Sequence, residues 1–352
     1  MNVRLSHMVQ LATFLLLFPM TLWAQGFSGL GAEVQGFATP QPDPQFSFPA
    51  DHGAHPDYRI EWWYLTANLQ GPDGTAYGLQ WTLFRTALAP GEAAGWSSPQ
   101  IWFAHAAVTT PDAHHATERF ARGGIGQAGV QAAPFHAWID EWSLKGADFD
   151  AMSLTASGPD FGYDMALTAR GPLVFHGDGG YSVKSQQGQA SYYYSQPYFD
   201  ITGTLSLPDG VVAVTGSAWL DREWSSQPLG KMQTGWDWFS LSFDEGAKLM
   251  GFQLRQTDGG GYSASTWIAP DGTATALPAG AFAAEPLQTH SVAGRDVPVK
   301  WQVRLPARGV DVNVSALNRA AWMGLSIPYW EGPVRIEGSH TGVGYLEMTG
   351  YE

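Results

Sequence analysis

The feature that most constrains this chain is that it resembles itself. GWDWFSLSFDEGAKLMGFQLR (235–255) repeats the plan of EWWYLTANLQGPDGTAYGLQWTLFR (61–85): an aromatic strand, a turn with acid and glycine, Gly-apolar-Gln and a closing arginine. The Gly–Gln pairs are Gly78/Gln80 and Gly251/Gln253. PQIWFAHAAV then lies against ASTWIAPDG, which sets Trp102 with Trp267 and His105 with Pro270. Last, PYFDITG (197–203) and VTG (214–216) lie against PYWEGPVRIEG (328–338) and MTG (348–350). Three matches in one order predict a doubled chain of two similar units. SQPLGKMQT (226–234) is polar and turn-prone, so the join is expected there, with units at 46–226 and 227–352.

Each unit reads as β structure. EWWYLTANL (61–69), the turn GPDG (71–74) and AYGLQWTLFR (76–85) form a hairpin pattern, and IWFAHAAVT (101–109) is a further strand. More strands are expected near 139–144, 150–156, 163–170, 181–184 and 190–195. With 42 glycines and 23 prolines among 352 residues, long helices have little room. A short helical piece is expected only at ALNRAAWM (316–323). The fold class is therefore all-β, as two tandem barrel-like domains, since closing a sheet removes its exposed edges.

Composition narrows the functions. The net charge is −14 and there is no basic block, which disfavours a nucleic-acid partner. The absence of cysteine removes disulfides, thiolate metal sites and thiol nucleophiles together. Arg4 and His7 precede an apolar run from Leu11 to Trp23 that ends at Ala24. This pattern predicts a signal peptide over 1–24, followed by an arm at 25–45 and a periplasmic or secreted chain. The run is shorter than the ~20 residues a membrane-spanning helix needs, so an integral membrane protein is not expected.

The sharpest chemical signal is AWLDREWSSQPL (218–229). On a strand, Trp219, Asp221 and Glu223 share one face and Leu220, Arg222 and Trp224 the other. Two carboxyls beside an indole resist joint ionisation, so Asp221 is a candidate proton donor, with an inter-domain ion pair as the alternative. Glu223 or His105 would activate water; a core role for His105 is the competing explanation. Glu61, Trp63, Tyr64, Trp219 and Trp236 are candidate lining residues, joined by Tyr194 from YYYSQPYF and by Tyr329 and Trp330 from YWEG. Aromatic faces suit an apolar ligand and a developing cation. GIGQAG (124–129) lacks strand–helix context, and DHGAHP (51–56) lacks a partner cluster. Neither a metal nor a cofactor is therefore expected, and no G-x-S-x-G or H-E-x-x-H occurs.

FPADHGAHPDYRIEWWYLTANL, GLQWTLFR, FAHAAV, WLDREWSSQPL, GWDWFSLSF and YWEGPVRIEGSHTGVGYLEMTGY resemble the AttH-type secreted lipocalin-like proteins. These share a superfamily with the carotenoid 1,2-hydratases (hydroxyneurosporene synthases). The resemblance implies two lipocalin-like β-barrels, a hydratase- or hydrolase-type activity on an isoprenoid or lipid-like substrate, and a possible envelope ABC transporter as partner. It also implies an olefin-protonating acid in an Asp-x-x-Trp segment, which falls on Asp221 and Trp224. Arg222, Glu223 and Ser225 depart from the hydratase pattern, so the resemblance carries the acid and not the carotenoid. A non-catalytic lipid carrier is the alternative function.

Overall fold

A computed structural model describes residues 35–227 and 232–351. The expected signal segment, the arm up to residue 34 and residues 228–231 of the expected join lie outside the described residues.

Two antiparallel sheets carry the chain. The first contains β1 (Ile60–Gln70), β2 (Ala76–Ala87), β3 (Gln100–Thr109), β4 (His114–Arg122), β5 (Ala128–Gln131), β6 (Phe135–Ile139), β7 (Trp142–Gly146), β8 (Ala151–Ser157), β9 (Gly162–Ala169), β10 (Val174–Phe175), β11 (Tyr181–Val183), β12 (Ala190–Leu207) and β13 (Gly210–Ser225). The second contains β14 (Gln233–Phe243), β15 (Lys248–Gln256), β16 (Gly261–Ile268), β17 (Ala274–Leu277), β18 (Ala283–Val292), β19 (Arg295–Leu305), β20 (Val310–Ala316), β21 (Trp322–Met323), β22 (Tyr329–Gly338) and β23 (Gly342–Met348). Their orders are β4-β3-β2-β1-β13-β12-β9-β8-β7-β6-β5 and β17-β16-β15-β14-β23-β22-β20-β19-β18. In each, the first strand pairs with both the second and the last, so one circuit is drawn twice.

Both sheets curl into barrels. In the first, β6 lies across from β2, β3 and β4 around a core that includes Trp63, Trp81 and Trp142. The second closes over Phe239, Trp301 and Trp330. The barrels meet where β1 and β2 face β22 and β23. This explains the dense aromatic run of β1. Trp63, Leu65, Ala67 and Leu69 point into the first barrel, while Tyr64 packs on Trp238 and Tyr345 across the interface. Both faces of the strand are buried, so both are apolar. Gly78 lies at the closest approach, where an added Cβ would stand 2.5 Å from Pro333 Cγ.

Two local expectations fail. The strand expected at 139–144 spans a hairpin turn: Ile139 pairs with Trp142, and Asp140 takes the positive φ such a turn requires. ALNRAAWM is not helical; its Asn318 side chain accepts from Ala320 N and donates to Thr110 O, drawing the segment over the first barrel.

The pairing registers also correct the self-alignment. A strand shifted by one residue turns every side chain to the other face, so equivalence has to respect the face. Gln253 bonds Asp237 within the second barrel, whereas Gly78 faces outward onto Pro333. The Gly–Gln pairs are therefore not equivalent; the closing arginines Arg85 and Arg255 are. Tyr64 pairs with Thr82 and Asp221, as Trp238 pairs with Phe252 and Glu347. Thr82 continues to His105 and Phe252 to Ala264, so His105 corresponds to Ala264 rather than Pro270, and Trp102 does not correspond to Trp267. Asp221 continues to Ser195 and Glu347 to Glu331. YYSQP (193–197) is thus the counterpart of YWEGP (329–333), and LDREW (220–224) that of LEMTG (346–350).

Candidate active site between the two barrels

The barrel interiors are packed, and the site lies between the barrels. A cavity of about 900 Å³, mouth included, is walled by Ile60, Trp62, Tyr64 and Phe84 from the first hairpin and Trp236, Trp238, Phe252 and Leu254 from its counterpart. β12 and β13 add Ser191, Tyr193, Asp221 and Glu223, the segment after β11 adds Lys184, and β23 adds Glu347. The walls are mostly hydrocarbon and ring faces, which suits an apolar organic molecule.

Asp221 is buried here. It accepts from Trp219 Nε1 at 2.6 Å, from the Tyr193 hydroxyl at 2.9 Å and from the Ser195 hydroxyl. Burial raises its pKa to about 7 and the nearby Glu223 pushes the same way, against the hydrogen bonds from Ser195, Trp219 and Tyr193. Ser195 lies 2.6 Å from His176 Nε2, whose ring spans to Thr266 Oγ1 at 3.0 Å, so the acid is held by a sealed polar chain. Glu223, by contrast, forms an ion pair with Lys184 at 2.8 Å and accepts from Ser191. Strand alternation thus brought the acids to one face as expected, and that face is the one between the barrels.

The shift of Asp221 has a consequence for stability. The folded carboxyl keeps its proton up to about pH 7, whereas the group is ordinarily half-ionised at 3.8. Stability conferred by this group is therefore full at low pH and is lost as pH rises through that interval. Asp221→Asn has no proton to lose, so its melting temperature, followed by circular dichroism, should gain on the wild type between about pH 4 and pH 7.

Of the expected site residues, Asp221, Glu223, Tyr64 and Trp236 line the cavity, and Trp219 touches it through Asp221. Glu61 and Trp63 do not line it. They point into the first barrel, where Glu61 binds Arg85, Arg222 and His55, and Arg222 lies 3.8 Å over the Trp63 ring. Burial alone would raise Glu61, yet Arg85, His55 and Arg222 together hold it far below the usual carboxylate range. Tyr194 is turned away from the cavity onto His52, Phe46 and Phe48, and Trp330 fills the second barrel. His105 is not among the residues of the cavity wall. It sits behind, 2.9 Å from the Tyr329 hydroxyl, and burial lowers its pKa to about 3. The DHGAHP histidines are held by Tyr194, Asp51 and Glu61, and no group of three potential metal ligands occurs among the described residues.

Sequence reasoning missed Glu347, Tyr193, Lys184 and Trp238 in the wall, and Glu331 behind it. Glu347 accepts from Trp236 Nε1 at 2.7 Å, and Glu331 accepts from the Tyr64 hydroxyl. Aligning YYSQP with YWEGP would have exposed Glu331, and aligning LDREW with LEMTG would have exposed Glu347.

Two tandem antiparallel barrels joined face to face over an acid-lined aromatic cleft define a lipocalin-like double-barrel protein. The chain belongs to the AttH-like family, whose sequence pattern it matches over residues 39–351. It is similar to the crystal structure of an AttH protein from Nitrosomonas europaea, with 31% identity, a TM-score of 0.80 and coverage of 90% of this chain and 100% of that one. Kievitone hydratase from Nectria haematococca shares the fold at 13% identity, with a TM-score of 0.65 over 90% of this chain and 98% of that one. Among curated proteins, none matches the sequence. No helix among the described residues is long and apolar enough to cross a membrane, which says nothing of strands.

Proposed function

We propose that this chain is an exported hydratase-type enzyme that adds water to a carbon–carbon double bond of an apolar, isoprenoid-like substrate. The observation that carries the reading is Asp221: a carboxyl that keeps its proton near neutral pH, set in a cleft of indole and phenyl faces. In this reaction the Asp221 O–H bond breaks and a C–H bond forms at one alkene carbon. The cation left at the other carbon faces Trp62, Trp236 and Trp238, whose ring quadrupoles stabilise positive charge. Water then forms the C–O bond and releases a proton to a carboxylate of the wall. General acid–base chemistry of this kind is supplied by the side chains alone. The hydratase fold of the Nectria haematococca protein supports the reading by analogy. Export rests on the basic start and apolar run before Ala24.

The test is incubation of the purified protein with a panel of prenyl-chain alkenes in isotopically labelled water. Mass spectrometry should show one substrate gaining one labelled water. If every alkene is returned unchanged and an unaltered apolar ligand is extracted from the native protein, the hydratase reading falls. The chain would then be a lipid carrier, of the kind an envelope ABC transporter would use.

A further inference from the structure

The doubling of the fold places two acids, not one, at the cleft. Tyr64 pairs with Asp221 in the first barrel and Trp238 with Glu347 in the second, and both acids face the same cavity. Each carries an indole N–H on one oxygen: Trp219 on Asp221 at 2.6 Å and Trp236 on Glu347 at 2.7 Å. They differ in what stands behind them. Ser195 backs Asp221, while Glu331 occupies the corresponding place behind Glu347.

Glu331 is fully buried, directly across the β22–β23 ladder from Glu347. Its carboxyl accepts from the Tyr64 hydroxyl on Oε1 and is also hydrogen-bonded with Tyr329. Burial acts most strongly on both glutamates; after it, Glu347, Tyr64 and Tyr329 act on Glu331, and Trp236 from β14, Asp221 and Glu223 from β13, and Tyr64 from β1 act on Glu347. None of these is a cation. The buried acids inside the barrels are different: Glu61 is held by Arg85 and Arg222, and Asp237 by Arg255. Two adjacent buried carboxyls, with Lys184 of the same cavity already paired to Glu223, do not ionise together, so the pair keeps one proton, as like charges in one site do.

We propose that Glu347 is the second proton-transfer carboxyl of the cleft, with Glu331 as the positioning residue that shares its proton. This deepens the hydratase reading and rests on it. At the start Asp221 is a neutral acid and the glutamate pair carries one proton and one negative charge. Asp221 gives its proton to the alkene, water adds to the cation, and the proton leaving that water goes to Glu347. The pair is then doubly protonated and Asp221 is ionised. One proton returns from Glu347 to Asp221 across the cleft, and the protein is restored with one water added to the substrate.

Infrared titration of the ligand-free full chain reads the shared proton without any substrate. The carboxylic-acid band at neutral pH should contain a component that disappears in D221N. A second component should titrate at lower pH in E347Q and in E331Q, because either change removes the repelling neighbour while the burial that also holds the proton on the remaining carboxyl persists. A band untouched by E347Q overturns the proposal. On an alkene that the labelled-water assay shows to be hydrated, E347Q should lower kcat by about 100-fold with little change in KM, and added formate should partly rescue E347A. Wild-type turnover by E347Q overturns this proposal and leaves the hydratase reading standing. Wild-type turnover by D221N overturns the hydratase reading itself, and if no alkene is hydrated both fall.

Discussion

Asp221→Asn is expected to lower turnover of a hydrated alkene by roughly 10²–10⁴-fold, the range that a positioned general acid supplies. The substitution keeps the shape of the side chain. Asn Oδ1 can still accept from Trp219 and Ser195, and Tyr193 can accept from the new amide, so the cleft should keep its form. What is lost is the transferable proton. Because the acid holds that proton up to about pH 7, wild-type activity should fall on the alkaline side of neutrality. A stopped or sampled assay across pH measures both effects, and substrate binding by D221N near the wild-type level would separate chemistry from affinity. Activity in D221N equal to wild type would remove Asp221 from the mechanism.

The largest expected effect on stability lies elsewhere, inside the first barrel. Glu61→Ala should destabilise the fold by roughly 3–5 kcal/mol, the usual cost of stripping one partner from a buried ion cluster. Arg85 and Arg222 would be left buried with their shared carboxylate gone. Arg85 would keep its bonds to Gln100 and to the carbonyls of His55 and Tyr58 in the segment before β1. Urea unfolding at neutral pH measures the loss. The pH dependence of this cluster is opposite in sign to that of Asp221. Glu61 is depressed in the fold, so its contribution is present above the ordinary glutamate range and is lost as pH falls toward the folded value. The wild type should therefore lose stability in acid, and Glu61→Ala should show less of that acid loss. An unchanged urea midpoint in Glu61→Ala would refute the argument.

The two carboxylates illustrate why similar residues in similar strands take different roles. Glu61 and Asp221 lie on neighbouring strands and are both buried. Glu61 faces the barrel interior, where two guanidiniums neutralise it; Asp221 faces the cleft, where its partners are neutral donors. Charged partners lower a carboxyl, and uncompensated burial raises it. The difference follows from one step of strand alternation.

Much of this was legible in the residues. The aromatic hairpins, the turn chemistry and the repeated order of segments determined an all-β chain of two like units, because strand propensity and self-similarity are local properties. The i, i+2 spacing of Asp221 and Glu223 determined that they share a face. The family resemblance rested on long contiguous strings, which are likewise local. Which face meets solvent, lumen or a second barrel was not written in any one strand, since β1 is apolar on both sides. For that reason the residues left open whether Trp63 and Glu61 line a site inside the first barrel or between the barrels; the structure turns both into the first barrel and sets His105 behind the cleft wall. Cross-strand register, a property of residues more than a hundred positions apart, decided that Glu347 is the counterpart of Asp221. Only the docking of one barrel on the other brought both acids to one cavity, and burial at that contact is what keeps their protons in place.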